Sequence, residues 1–311
     1  MVAETDLHLR AARARGPVLA SATYLSEPGS LAHLTHTAER WGITLEEPYA
    51  DVYPGNLVYR CALRDGTPAV IKTEPDRVPD DEFLPGLDAL LLYGGRGMVR
   101  VLEAARDERV VLMERVVPGE TLWEVPFDDA LRALASVMTK LRAVPPTGHS
   151  FPEARSYDRA WPNHRRLYGG ADPIDADLFE IGERLFIELC VSSAAPVVLH
   201  GDLHYRNVLS SDREGWLAID PKGVVGEPCY EVGDVFRNRV DELYESPDPV
   251  RAMRRRVETV ADLTGFDRER VRGWALAQAV LSEVWTADNP ARASHVDLRA
   301  ARLLHSIGPF G

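Results

Sequence analysis

Cysteine is scarce in this chain. Cys61, Cys190 and Cys229 are the only three in 311 residues, and they form no C-x-x-C pair. That excludes a disulfide framework and a cysteine zinc site, and fits reduced thiols. No stretch approaches the roughly 20 apolar residues of a membrane helix. The amino-terminal residues mix Glu4, Asp6, Arg10, Arg13 and Arg15 with alanines and lack an apolar core, so no signal peptide is expected and a cytoplasmic location is. Basic residues are in deficit: 36 Lys and Arg face 48 Asp and Glu, a net charge of −12. Nucleic acid and membrane are therefore not expected partners, and cationic small molecules are favoured over anionic ones. The chain also has no G-x-S-x-G nucleophile elbow, no H-E-x-x-H zinc motif and no G-x-G-x-x-G loop.

What is present is ordinary in bulk and specific in one place. With 45% hydrophobic and 27% charged residues, the chain reads as folded and long enough for two lobes. Strand patterns dominate its first part. Ser30 to Trp41 has helical spacing, Leu57 to Leu63 alternates, Asp65-Gly66 marks a turn, and Ala69 to Lys72 returns as a strand. Glu82 to Leu92 reads as a helix, followed by strands at Met98 to Leu102 and Val110 to Glu114 and a break at Pro118-Gly119. Helical patterns dominate afterwards, at 128–141, 175–190, 251–263, 268–285 and 295–304. The expected fold is α+β, with a small sheet-rich lobe over residues 1–116 and a larger helical lobe over 117–311. No repeat fixes an oligomeric state.

The specific segment is His200-Gly201-Asp202-Leu203-His204-Tyr205-Arg206-Asn207, followed by Trp216 to Ile219 and Asp220-Pro221-Lys222. The apolar runs 207–210 and 216–219 flank Ser211 to Gly215 and read as a β-hairpin. Folding it about its centre sets Asn207 opposite Ile219, next to Asp220. One acid, an amide five residues later and a second acid after an apolar strand is the order of a kinase's catalytic aspartate and two magnesium ligands. Asp202 is the candidate for orienting an acceptor hydroxyl and taking its proton. Asn207 and Asp220 offer hard oxygen donors that suit Mg²⁺.

Lys72 closes a strand where a kinase places the lysine that grips the α- and β-phosphates of ATP. Folding its hairpin sets it opposite Tyr59, near the loop Tyr53-Pro54-Gly55-Asn56, whose amides from Gly55 onward are positioned for phosphate. Glu82 and Asp88 are the carboxylates available to pair with it. Met113, Glu114 and Val116, before the Pro118-Gly119 break, form an edge that offers backbone to adenine, with Met113 against the ring. His200 and His204 flank Asp202 as H-x-D-x-H, which suits hydrogen bonding better than zinc. Downstream, Glu227, Glu231, Asp234 and Asp288 are candidates for binding cationic groups of an acceptor.

Taken together, these residues resemble the aminoglycoside phosphotransferase superfamily, and within it the streptomycin 6-kinase and hydroxyurea phosphotransferase group. His200 through Asn207 carry the resemblance, with Ile219-Asp220-Pro221-Lys222 and Val225-Gly226-Glu227-Pro228. Gly94-Gly95-Arg96-Gly97 with Val99 to Leu102, and Leu112 to Arg115 with Pro118-Gly119, also look like that group. The likeness runs from about residue 50 to the end. It implies a protein-kinase-like bilobal fold, ATP with Mg²⁺, and γ-phosphoryl transfer to a hydroxyl of a small molecule such as an aminoglycoside. It implies Asp202 as catalytic aspartate, Asn207 and Asp220 as metal ligands and Lys72 as phosphate lysine. Glu231 stands where that pattern has an aspartate. A metabolic or biosynthetic kinase for another sugar, amino alcohol or antibiotic intermediate shares every one of these residues. A nucleotide-binding regulatory module without catalysis is the expectation from a different class.

Overall fold

A computed structural model describes residues 29–50, 55–75, 81–193, 195–287 and 296–310. They fall into two compact units, one built from residues up to Asp76 with Ala104–Leu112, the other from Arg77–Glu103 and Met113 onward.

The first unit opens with helix α1 (Leu31–Trp41). Ser30 caps it by accepting the His33 N–H at 3.2 Å, and Gly42 ends it at φ 68°, where an L side chain is disfavoured. The buried positions Leu34 and Ala38, one turn apart, pack on Cys61, Ala69, Ile71, Val110 and Leu112. Strand β1 (Thr44–Pro48) left no signal in the sequence because it is almost wholly exposed and carries no alternation. Strands β2 (Leu57–Ala62) and β3 (Pro68–Thr73) form the expected hairpin, but Lys72 lies opposite Val58, not Tyr59. The turn is one residue longer than an Asp-Gly pair implies. Leu63 N–H donates to Thr67 O at 3.0 Å, and Gly66 sits at φ 82°, the three-residue loop with a left-handed glycine. A one-residue slip exchanges faces, so Ile71 joins the core under α1 and Lys72 faces away from it. Strands β4 (Val101–Ala105) and β5 (Val110–Glu114) complete a sheet of order β1-β2-β3-β5-β4. Glu108, in the turn between them, accepts from Thr37 Oγ1 and Arg40 Nη1, each at 2.7 Å, which fastens α1 to the sheet.

In the second unit, helix α2 (Phe83–Tyr93) forms despite Pro85-Gly86. Pro85 lies in the first turn, where no backbone donor is needed. Met98 was expected to start β4. It forms a parallel bridge to Ala218 instead, with Val99 N–H on Ala218 O at 2.9 Å; Met98 and Val99 are apolar because this attachment buries them. Pro118-Gly119, expected as a break, opens strand β6 (Pro118–Thr121), with proline at the strand's first residue where it is tolerated.

The helical part then runs through α3 (Phe127–Lys140), α4 (Ala160–Tyr168) and α5 (Ala176–Val191). Short strands follow: β7 (Val197–Leu199), β8 (Val208–Ser211), β9 (Gly215–Ala218) and β10 (Val224–Gly226). They pair as β6-β8-β9 and β10-β7. Helices α6 (Gly233–Arg237), α7 (Asp241–Tyr244), α8 (Pro249–Thr264), α9 (Arg268–Thr286) and α10 (Val296–Ser306) finish the chain. Buried on nearly every face, α9 is the centre of this unit and packs on α5 and α10. No helix among the described residues is long and apolar enough to cross a membrane. A sheet-rich amino-terminal region and a helical carboxy-terminal region are the architecture expected.

Candidate active site

The loop from His200 to Asn207 leaves the buried strand β7 and enters β8. His200 is fully enclosed and ties its ends together. Its Nδ1 accepts the Asp202 N–H at 3.2 Å, so the proton sits on Nε2, which donates to Ile219 O at 2.8 Å. Burial holds its pKa below the ordinary histidine value, consistent with a neutral ring. His200 O in turn accepts the N–H groups of Lys222 and Gly223, at 2.8 and 3.2 Å. His204 is engaged locally, its Nδ1 accepting the Arg206 N–H at 3.2 Å. Neither histidine is arranged as a zinc ligand, and no cluster of three or more His, Cys, Asp or Glu among the described residues is placed to hold a metal.

The β8–β9 register is the one read from the sequence. Val208 faces Ala218, and Ile219 N–H donates to Asn207 O at 2.9 Å, which puts Asn207 beside Asp220. Asn207 Nδ2 donates to Asp202 O at 3.0 Å, so the amide is turned with its carbonyl oxygen as the atom available to a cation. Asp220 holds φ 59°, a left-handed conformation that non-glycine residues adopt at a cost and that clusters at functional sites. An amide oxygen and a carboxylate from adjacent hairpin ends make a hard donor set that fits magnesium. Asp202, Asn207 and Asp220 are thus gathered at one junction.

Asp202 also lines an open cavity of about 510 Å³. Asp234, Asp241, Glu242 and Asp297 supply further carboxylates to its wall, Arg237 and Arg239 are its cations, and Trp123 is its aromatic surface. Arg237 pairs with Asp234, Arg239 with Glu242 and Arg299 with Asp241, and with Asp202 and Asp297 in the same wall acidic charge remains in excess. Of the three acceptor candidates among the described residues, Asp234 alone is found in this wall. Glu227 is buried against Arg270, whose Nε reaches its Oε1 at 2.6 Å and whose Nη2 pairs with Oε2. Glu231 points inward, accepting the Gly201 N–H at 2.8 Å, while its Oε2 is enclosed without a hydrogen-bond partner. Desolvation pushes the Glu231 pKa up to about 8, so it carries a proton at neutral pH. Asp288 lies outside the described residues. Sequence reasoning missed Trp123, Asp241, Glu242 and Asp297. No spacing marks them, because separate segments bring them together.

In the first unit, Lys72 is buried on β3 and its Nζ lies 2.5 Å from Glu74 Oε1. A carboxylate paired with it thus comes from two residues further on, just past the end of β3, and Arg109 Nε donates to the Glu74 carbonyl at 3.2 Å. Of the helix carboxylates expected to serve Lys72, Glu82 pairs with Lys222 at 3.2 Å, and Asp88 borders a separate cavity with Pro146 to Phe151. Gly55 holds φ 93° and is exposed, ahead of a buried Asn56; Tyr53 and Pro54 are outside the described residues. Met113 is buried. Glu114 Oε1 takes the Arg100 N–H at 2.8 Å and Arg213 Nη2 at 2.7 Å, and the Glu114 N–H donates to Arg100 O at 3.0 Å. Val116 is half-buried, its carbonyl packed where a Cβ on Gly119 would come within 2.7 Å.

Comparison with known proteins covers nearly all of this frame. Residues 40–290 match the family model described as aminoglycoside/hydroxyurea antibiotic resistance kinase. The streptomycin 6-kinase of Streptomyces glaucescens is 31% identical over 257 residues, 82% of each chain. The hydroxyurea phosphotransferase of Kitasatospora aureofaciens is 31% identical over 272 residues, 84% of this chain and 74% of that one. Among solved structures, a choline kinase from Streptococcus pneumoniae superposes with a TM-score of 0.61 at 13% identity, over 88% of this chain and 97% of that one. A thermostable aminoglycoside phosphotransferase mutant, in ternary complex with ADP and hygromycin B, gives 0.60 at 16%, over 89% and 99%. At such identities the structural likeness speaks for the kinase-like fold.

Proposed function

The chain belongs to the aminoglycoside/hydroxyurea antibiotic resistance kinase family, and from that premise we propose that it transfers the γ-phosphoryl group of ATP to a hydroxyl of a cationic small molecule of the aminoglycoside type. Its class is that of phosphotransferases with a hydroxyl acceptor. The observation that carries the finer reading is Asp202 in the wall of an acidic cavity, one short loop away from the Asn207–Asp220 pair.

In this reading the acceptor oxygen attacks the γ-phosphorus, an O–P bond forms, and the bond to the β,γ-bridging oxygen breaks to release ADP. Asp202 accepts a hydrogen bond from the acceptor hydroxyl, aligns it, and takes its proton late in the transfer. The His200 and Glu231 bonds to the Asp202 and Gly201 N–H groups fix the backbone leading into Asp202, and Asn207 Nδ2 on the Asp202 carbonyl fixes it on the far side, so little motion is needed to aim the carboxylate. Lys72, with Met113, Glu114 and Val116, is assigned to the nucleotide. Magnesium held by Asn207 Oδ1 and the Asp220 carboxylate would neutralise charge on the β- and γ-phosphates. Excess carboxylate in the cavity attracts ammonium or guanidinium groups on the acceptor.

The test is incubation with magnesium-ATP and a panel of aminoglycosides, guanidinylated sugars and amino alcohols, read as a mass gain of one phosphoryl group. Transfer to a cationic acceptor that drops about 10³-fold or more in Asp202→Asn, with ATP still bound, supports the reading. Nucleotide binding with no transfer to any acceptor would favour the non-catalytic module instead.

A further inference from the structure

Lys222 has no task in the scheme above, yet it is held with unusual firmness. Its N–H donates to His200 O at 2.8 Å, and its Cβ lies 3.3 Å from where a Cβ on Gly201 would be, so the side chain starts beside the residue preceding Asp202. The turn that carries it is interlocked with the start of α2. A Cβ on Gly86 would meet Pro221 O at 2.3 Å, and one on Gly223, at φ 67°, would meet Pro85 O at 2.2 Å. From that base Nζ reaches Glu82 Oε1 at 3.2 Å, with 31% of the Lys222 side chain and 51% of the Glu82 side chain exposed.

With half of the Glu82 side chain in solvent, the pair contributes little to stability and does not explain the fixed stalk beneath the lysine. The acceptor does not explain it either. Lys222 is not in the wall of the acidic cavity, and a cation there would repel a cationic acceptor. The anion that must come to Asp202 in phosphoryl transfer is the γ-phosphate itself, whose equatorial oxygens and leaving bridging oxygen hold charge through the transition state. We propose that Lys222 is a catalytic residue that binds the transferring γ-phosphoryl group beside Asp202, exchanging the Glu82 carboxylate for phosphate oxygens when nucleotide is bound. The inference rests on the kinase reading and assigns the cation that its transfer step uses.

The experiment titrates full-length wild type, Lys222→Met, Lys222→Arg and Glu82→Gln with magnesium-ATP and magnesium-ADP by calorimetry, and measures turnover on the acceptor found by the panel. The γ-phosphate is the sole difference between the nucleotides. Lys222→Met is expected to lose about tenfold or more in ATP affinity, to keep ADP affinity within about twofold, and to fall about 10²-fold or more in kcat. Lys222→Arg should recover part of both losses. Glu82→Gln, which removes the same ion pair but keeps the lysine, should stay within about threefold of wild type. The inference is overturned by a Lys222→Met protein with unchanged ATP preference and turnover. Equal weakening of both nucleotides, or a loss in Glu82→Gln as large as in Lys222→Met, overturns it too, since either would make Lys222 a structural partner. A wild type that binds no nucleotide and phosphorylates nothing sinks the kinase reading itself, which is a separate outcome.

Discussion

Glu231 accepts the backbone N–H of Gly201 at 2.8 Å, one residue before Asp202, from a buried position. Burial raises its pKa from 4.5 to about 8, against the lowering effect of that hydrogen bond. Between those values the folded protein keeps a proton that the unfolded chain has released, so stability falls as pH rises from about 4.5 through about 8 and levels off beyond. Glu231→Gln removes this titration. Thermal unfolding scans from pH 5 to about 9 should show the variant's Tm gaining on wild type as pH rises. Parallel Tm curves would show that Glu231 does not titrate in this window.

The Glu227–Arg270 pair makes the second prediction. The Glu227 side chain is 4% exposed, and Arg270 also donates to Leu189 O and Ser192 Oγ, which links the 3-10 turn at Pro228–Val232 to α5 and α9. Arg270→Ala strands a buried carboxylate and should destabilise by about 1.5–3 kcal/mol in urea unfolding. Glu227→Gln should leave the KM for a cationic acceptor within about twofold, because the carboxylate is already neutralised inside the fold. A large rise in KM would return Glu227 to the acceptor site.

These two glutamates show what the sequence could and could not carry. Local patterns were legible: the β8–β9 register follows from two apolar runs about a short turn, and α1 from the helical spacing of Leu34 and Ala38. The Lys72 register slipped by one because Asp65-Gly66 reads as a two-residue turn, whereas the left-handed Gly66 closes a three-residue one. Glu227 and Glu231 read as acceptor-binding carboxylates because their partners, Arg270 and the Gly201 amide, are distant in sequence. The acidic cavity was invisible for the same reason. Asp234, Asp241 and Asp297 belong to three helices, and only tertiary packing gathers them.

Gly223 tests how tightly the Asp220 turn is keyed to α2. A methyl group there would sit 2.2 Å from Pro85 O, a backbone atom, and φ 67° disfavours any L side chain. Gly223→Ala should destabilise by about 2 kcal/mol or more, combining left-handed strain with a clash the helix start cannot relieve by a rotamer change. Turnover should fall as well, since Asp220 and Lys222 are displaced together. Chemical denaturation and kcat measured on the same preparation check both. An alanine variant as stable as wild type would show that the two segments are free to separate.

Asp297, in the first turn of α10, separates electrostatic recognition from chemistry. It lines the cavity with Asp202 but belongs to none of the loops that hold the reacting groups. Asp297→Asn removes one negative charge with little change in shape. The KM for a cationic acceptor should rise about 3- to 30-fold while kcat changes by less than about threefold, the signature of binding shared by ground and transition states. Part of that attraction acts through solvent, so the wild-type KM should climb with ionic strength and the variant's should climb less. A neutral acceptor should register neither change. If Asp297→Asn weakened neutral and cationic acceptors alike, the cavity would be selecting by shape and the excess of carboxylates would have another cause.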